Sequence, residues 1–476
     1  MEAGARGVQY GSSSVAAPSR IRSALAGALM LGVALAPAIR ASAQAGAGVS
    51  LIRDTEIEAI LHDEADPIFI AAGLDPKAVK INMISDKELN AFSAGGEALY
   101  LNTGLILETK TPNQLVGVIA HETGHIAGGH IARSGAMTKA ALGPMLISVG
   151  LGVLAALAGA PDAAAGLVFS SGYFGELSAL GYSREQEARA DQAAVTYLEK
   201  AGQSGRGLVE FFNNFRYQEV FDDERKYPFF RDHPLTDDRI EALAARVEQQ
   251  PHVGVTDTQA QLDAHAIMKA KLEAFIGGVG QTLTDYPDTD TSFPARYARA
   301  IAYYKETDTG HALAAIEALI ADRPDDPYLY ELKGQVLFEI GRAREAIAPH
   351  QRSVDLAPDA PLLRINLAQA QIAAGDPKLL DAAIANLARA LGAEHDNPLG
   401  WRLLAEAQDA RGEPGLARLA AAEQNFYLGQ LLEARTFAVR AREILKKGTP
   451  EYRRATDIIL ASKPSARDLK LLGVDG

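Results

Sequence analysis

The first chemical signal lies in Val116–His130, read VGVIAHETGHIAGGH, where His121, Glu122 and His125 form an H-E-x-x-H pattern. On an α-helix, positions i and i+4 share a face, so the two imidazoles converge on one point. Neutral imidazole nitrogens are good Zn²⁺ ligands. Glu122, one residue beyond the first ligand, is placed to hold a metal-bound water and take its proton. The pattern predicts one Zn²⁺ per chain, with His121 and His125 as ligands and Glu122 as general base. A catalytic zinc needs a third protein ligand, and Glu176, Glu185 and Glu187 are candidates. Glu187 is preferred because Asp191 follows one turn later and can accept a hydrogen bond from a ligating imidazole, first of all His121. Glu185 suits an outer-face pair with Arg189.

These residues need rigid elements to hold them. Thr111-Pro112-Asn113-Gln114 has the form of a helix start, with Thr111 as N-cap, Pro112 in the first turn and Gln114 completing a capping box. Leu115, Val116, Val118 and Ile119 make that helix largely buried. Ser183-Arg184-Glu185-Gln186 opens a second capped helix, which carries Glu187 and Asp191. Upstream, residues 50–75 read as a helix capped at Asp54 or Thr55, and Val79–Ser85 is a short β-like run. Leu89–Ile106 reads as a hairpin turning at Gly95-Gly96, with its second strand at Ala98–Thr103. That strand is either internal to a sheet or a free edge able to pair with a peptide backbone. The aromatic stretch Leu208–Phe230 reads as core plus a rim loop, and Asp237–Gln249 as a helix.

The chain has 476 residues, enough for two or three domains, and a net charge of −13 with no extended basic run. Nucleic acid is thereby excluded as a partner. There is no cysteine, which excludes disulfides, thiolate metal sites and a Cys nucleophile. Arg20 and Arg22, the apolar run Ala24–Ile39 and then Ala41-Ser42-Ala43 read as a secretory signal peptide over residues 1–43, cleaved before Gln44. The mature chain is therefore expected in a bacterial periplasm. Ala140–Pro161 is free of charge but interrupted by Gly and Pro, and Ala163–Gly175 continues the apolar theme. The expectation is a helical hairpin that covers the cleft or makes peripheral contact with a membrane through Ala140–Gly175.

From Pro294 the chain repeats. Pro294, Pro327, Pro361 and Pro398 recur at a period near 34. Small residues (Ala300, Gly334, Ala368, Ala405) follow in phase, and Gly341, Gly375 and Gly412 mark turns between paired helices. An excess in the third unit falls at Asp376–Asp381. This pattern resembles tetratricopeptide repeats. The fold class expected is mainly α: a zincin-type metalloprotease domain with a small β-sheet, then an α-solenoid. The expected division is a protease domain over 44–250, a connector over 251–290 with a polar helix at Ala260–Phe275, and repeats over 291–476. His62, His252, His265, His311, His350 and His395 lack a partner pattern and read as surface or core.

NAFSAGG at Asn90–Gly96, HETGH at His121–His125 with His130 following, SREQEARAD at Ser183–Asp191 and DHPLTDDRI at Asp232–Ile240 resemble the HtpX-like zinc metallopeptidase family. The repeat array resembles that of the family's BepA-type periplasmic subgroup. The resemblance implies His121, His125 and Glu187 as zinc ligands and Glu122 as general base. It implies that His233 approaches the zinc, either as a fourth ligand in a resting state or as a stabiliser of the oxyanion. It also places Arg239 beside the site and gives His130 a structural role. Ala194 departs from the family pattern, which has Gly there, and affects helix packing without removing a ligand. The implied function is quality control and assembly of outer-membrane proteins. Unfolded or misassembled outer-membrane proteins would be the substrates, and the β-barrel assembly machinery would dock on the repeats. Two alternatives stand beside it: a chaperone or scaffold with a mostly closed zinc site, and a housekeeping peptidase.

Overall fold

The computed structural model describes residues 50–94, 97–129, 184–215, 229, 233 and 235–463. The expectations for the signal peptide, the Gly95-Gly96 turn, His130, the apolar run Ala140–Gly175, Glu176 and the Ser183 cap lie outside the described residues. No helix among the described residues is long and apolar enough to cross a membrane.

The chain enters as a two-residue strand, β1 (Leu51–Ile52), where the sequence pattern suggested helix. Helix α1 (Thr55–Ala72) follows, with Asp54 accepting a hydrogen bond from the Ile57 amide as its cap. Strands β2 (Lys80–Ile84), β3 (Ala91–Ala94) and β4 (Ala98–Asn102) complete a sheet of order β1-β2-β4-β3. β4 runs parallel to β2 and antiparallel to β3. The strand leading toward the H-E-x-x-H segment is therefore internal, and among the described strands β1 and β3 lie at the two edges. Alternation gives the face of a strand but not its neighbours, so the sequence left both arrangements open.

Short helix α2 (Thr103–Glu108) leads to α3 (Pro112–Ala127), the H-E-x-x-H helix. The Thr111 side chain accepts from the Gln114 amide. The Gln114 side chain reaches back to the Lys110 amide rather than to that of Thr111. α3 is almost wholly buried and packs against α1, against α4 (Arg184–Lys200) and against α5 (Arg206–Phe215). Two glycines allow these approaches. A Cβ on Gly117 would meet Leu208 at 2.8 Å, and one on Gly124 would meet the Ala190 carbonyl oxygen at 2.9 Å. Phe211, Phe212, Phe215 and Phe229 join the same core, and α6 (Asp237–Val247) closes it.

Helix α7 (Gln259–Ile276), expected to be polar, is buried on two sides. Met268 and Leu272 enter the core around α3, while Ile267, Ala270, Ala274 and Phe275 enter the core that follows. Lys271 is buried too, 2.8 Å from Asp54 and 3.0 Å from Glu56. After α8 (Val279–Asp285) come helix pairs α9 (Phe293–Lys305) with α10 (Thr309–Asp322), and α11 (Pro327–Glu339) with α12 (Ala343–Leu356). Next are α13 (Pro361–Ala373) with α14 (Leu380–Ala393), and α15 (Pro398–Ala410) with α16 (Pro414–Tyr427). Helices α17 (Leu431–Arg442) and α18 (Pro450–Ala461) finish the array. Gly341, Gly375 and Gly412 turn with φ of 81°, 66° and 86°. In the first pair Thr307 takes that left-handed place at φ 64°, which a Cβ makes unfavourable. The excess in the third unit forms a 3₁₀ turn, Pro377–Leu379.

One buried acid makes stability pH-dependent. Glu64 on α1 is 5% exposed, and its oxygens have no hydrogen-bond partner among the described residues. Burial, reinforced by the charges of Asp257 and Asp63, pushes its pKa up from 4.5 to about 8. A raised folded-state pKa contributes stability below the unfolded value and loses it as pH climbs through the folded value. Glu64→Gln is expected to raise the thermal midpoint over wild type at pH 8 and to change it little at pH 4.5. Equal gains at both pH values would show that Glu64 does not titrate in this window.

Candidate metal centre

α3 supplies His121 and His125 from one face, α4 supplies Glu187 and Asp191, and His233 joins them from before α6. The close approach at Gly124 opposite Ala190 sets the two helices. Ala190 lies between Glu187 and Asp191 in the chain, so the two carboxylates flank the contact. His233 is held by backbone as well as by packing. Its amide donates to the Phe229 carbonyl at 2.7 Å, and the Phe229 amide donates to the carbonyl of Leu89, close before β3. Phe229 also stacks on the His233 ring, with centroids 4.7 Å apart.

Donor atoms of His121, His125, Glu187 and His233 all lie within 4.8 Å of one another, and all four residues are buried. His121 Nε2 is 3.2 Å from His125 Nε2, 3.4 Å from His233 Nδ1 and 3.5 Å from a Glu187 oxygen. His125 Nε2 is 3.4 Å from the other Glu187 oxygen, and His233 Nδ1 is 3.2 Å from Glu187. A tetrahedral zinc with bonds of roughly 2.0–2.1 Å has its donors about 3.3 Å apart. The donor set fits that ion in type and in spacing.

Around the four donors sits a ring of carboxylate and guanidinium groups. Asp191 Oδ1 is 3.0 Å from His121 Nδ1. Arg239 Nε and Nη2 donate to the two Asp191 oxygens at 2.8 and 2.9 Å, and Nη2 is 3.1 Å from Glu187. Glu122 lies on the far side of His233, with Oε1 3.4 Å from Nε2. Glu185 points outward and pairs with Arg189. Burial opposes charge on His121, but Asp191 and Glu187 overcome it and push the imidazole up to about 10. Glu187 resists burial in the same way, since His233 and His121 hold it well below the usual carboxylate range. His121 and Arg239 likewise lower Asp191. Protons and a metal ion therefore compete for one buried set of groups.

The sequence pattern did not reveal that Phe212 and Phe229 form aromatic walls against His121. Nor did it reveal the backbone tie from Leu89 to Phe229. The density of Phe between Leu208 and Phe230 was the available signal.

Residues 52–247 match the model of peptidase family M48. The beta-barrel assembly-enhancing protease of Yersinia pestis is 24% identical over 378 residues, 78% of this chain and 76% of that protein. A Vibrio cholerae relative is 26% identical over 259 residues, and the match spans about half (51%) of its length. The metalloprotease LoiP of Escherichia coli is 28% identical over 181 residues, 37% of this chain and 65% of that protein. The match covers nearly all of the sheet, α3, α4 and His233, and with the buried donor set it supports a metalloendopeptidase, similar to peptidase family M48 over residues 52–247.

Proposed function

We propose that the chain is a periplasmic zinc endopeptidase that acts on unfolded or misassembled outer-membrane proteins, with its helical array docking on the machinery that assembles them. The observation that carries the enzymatic part is the four-donor cluster with Glu122 beside it. The name and the length of the match of the Yersinia relative support the client class.

In this reading His121, His125 and Glu187 hold the zinc, which when bound polarises the scissile carbonyl and makes a water acidic. Glu122 takes that water's proton and delivers it to the leaving amine. Asp191 fixes the His121 tautomer through Nδ1, leaving Nε2 free for the metal. Arg239 holds Asp191 in place and offsets part of the negative charge. β3, an edge strand among the described residues, packs beside α3, where an extended substrate could lie along the sheet. His233 completes the donor set through Nδ1 while its Nε2 faces Glu122. One imidazole thus fills the water's position and engages the base, which describes a resting state. The 3.2–3.4 Å spacing from His233 to its co-donors favours the fourth-ligand role over the oxyanion role.

Three measurements test this reading. Glu122→Gln is expected to lower peptide cleavage by about 10²–10⁴-fold, as loss of a general base does. Zinc content, read by atomic absorption, should not change; retained activity would remove Glu122 from the mechanism. Asp191→Asn keeps the shape of the carboxylate and loses its charge. Zinc affinity, measured by chelator competition, is expected to fall about 10–100-fold, and an unchanged affinity would reduce Asp191 to a packing residue. His233→Ala is expected to increase hydrolysis of a short fluorogenic peptide several-fold. A fall in kcat would instead make His233 a stabiliser of the oxyanion.

A further inference from the structure

Part of the helical array faces β1, α1 and β2. Between them is a cleft of about 2220 Å³. Small-molecule pockets reach roughly 1,000 Å³, so this space suits a length of polypeptide. None of the donor residues of the metal centre lines it. It meets the sheet at β1, the edge opposite β3.

Three features describe what the cleft fits. First, β1 is an open strand edge. It pairs with β2 on one side, and no described strand lies on the other. The Ser85 amide donates to the Ser50 carbonyl, so by strand alternation the backbone groups of Leu51 turn away from β2. Leu51 lines the cleft and is 42% exposed. Second, the array wall is acidic. It contributes Glu331, Glu339, Asp359, Glu394 and Asp396 to the lining and no Lys or Arg. Third, the cleft is crossed by exchangeable contacts. Arg53 pairs with Glu394 at 2.9 Å, and Lys80 pairs with Asp396. The Arg53 and Lys80 side chains are 43% and 59% exposed, and exposed pairs are worth about 0–1 kcal/mol. A cationic side chain on an incoming segment can take over either carboxylate.

We propose that this cleft docks an extended polypeptide segment of alternating basic and apolar residues, which joins the sheet as a new strand along the free edge of β1. Its apolar side chains would lie against Leu51 and the apolar lining, and its basic ones against the array wall. A client held there sits at the sheet edge opposite the catalytic one. Docking and cleavage are then separate contacts made by one molecule. That the docked segment belongs to a substrate rests on the peptidase reading; the docking itself does not.

The test uses the full chain carrying Glu122→Gln, so that the probe is not consumed. The probe is a fluorescein-labelled peptide of about ten residues alternating Val and Lys, which spans some 33 Å when extended. Binding is read by anisotropy at low salt. The paired substitution Glu339→Lys with Asp359→Lys, at two exposed carboxylates of the wall, is expected to weaken binding about tenfold or more. Leu51→Pro removes the outward N–H at a place where an edge strand tolerates proline and is expected to weaken binding likewise. A Val–Glu peptide and a Pro-interrupted Val–Lys peptide should not bind. Unchanged affinity in the paired wall variant, or equal binding of all three peptides, overturns the proposal. Should Leu51→Pro fail to fold, the wall variant and the Pro-interrupted probe still decide. Docking intact in a chain whose native Glu122 form cleaves no peptide would count against the peptidase reading alone.

Discussion

The close approach of α3 and α4 is the constraint on which the rest of the molecule depends. Gly124 stands between the two histidine donors in sequence, and its missing Cβ is what lets the Ala190 backbone come so near. A methyl group there would sit 2.9 Å from a carbonyl oxygen, so the helices would have to part. The Glu187 oxygens stand 3.4–3.5 Å from the His121 and His125 nitrogens. A shift of even about an ångström would move them outside the reach of a common ion, since functional constellations tolerate roughly 0.5 Å. Backbone packing, rather than side-chain adjustment, therefore sets the geometry. The same logic explains why so much of α3 is buried: Gly117 seats α5 against it and fixes the helix from a second side.

Charge imposes a second condition on this buried set. Glu122, Glu187 and Asp191 are at most 3% exposed, and the one guanidinium among them, Arg239, is 9% exposed. With neutral imidazoles the cluster carries an excess of two negative charges, the amount that one divalent cation balances. Isolated buried charges cost several kcal/mol each, so the cluster as built requires either that cation or protons. The high proton affinity of His121 is the second solution, and the spacing of the donors matches the first. An apolar replacement of the whole cluster would be the easier way to fill this space. Its persistence inside a core of Leu, Val and Phe is best explained by chemistry.

How much of this is legible in the sequence depends on whether the signal is local. The cap, buried face and donor spacing of α3 follow from periodicity within one helix, and Thr111, His121 and His125 can be read directly. The array is legible for the same reason, since its prolines and glycines keep phase. Glu187 is only one carboxylate among three in the pattern, because distance along the chain carries no information about contact across helices. His233 sits in a turn and Arg239 in the first turn of α6, where no period marks a function, and only family resemblance points to them. β1 is too short to show alternation, and Asp54 just beyond it reads as part of a helix start. α7 misleads in the other direction. It buries side chains toward two cores and so has no single apolar stripe, which from sequence looks like a polar surface helix.

That double burial decides how the two halves of the chain work together. A flexible tether would let the array deliver clients by diffusion. Here Lys271 on α7 is bound to Asp54 and Glu56 next to the start of α1, and Glu56 also accepts a hydrogen bond from Tyr297 in the first array helix. The Thr55 hydroxyl donates to Glu331, which also accepts from Asn366 two helices further on. Breaking a buried pair by removing one partner costs about 3–5 kcal/mol, far more than an exposed contact such as Arg53–Glu394 holds. The inner end of the array is thus fixed to the peptidase, while its outer contacts can open at little cost. An opening of the cleft along β1 would therefore pivot about α7 and leave the α3–α4 contact undisturbed.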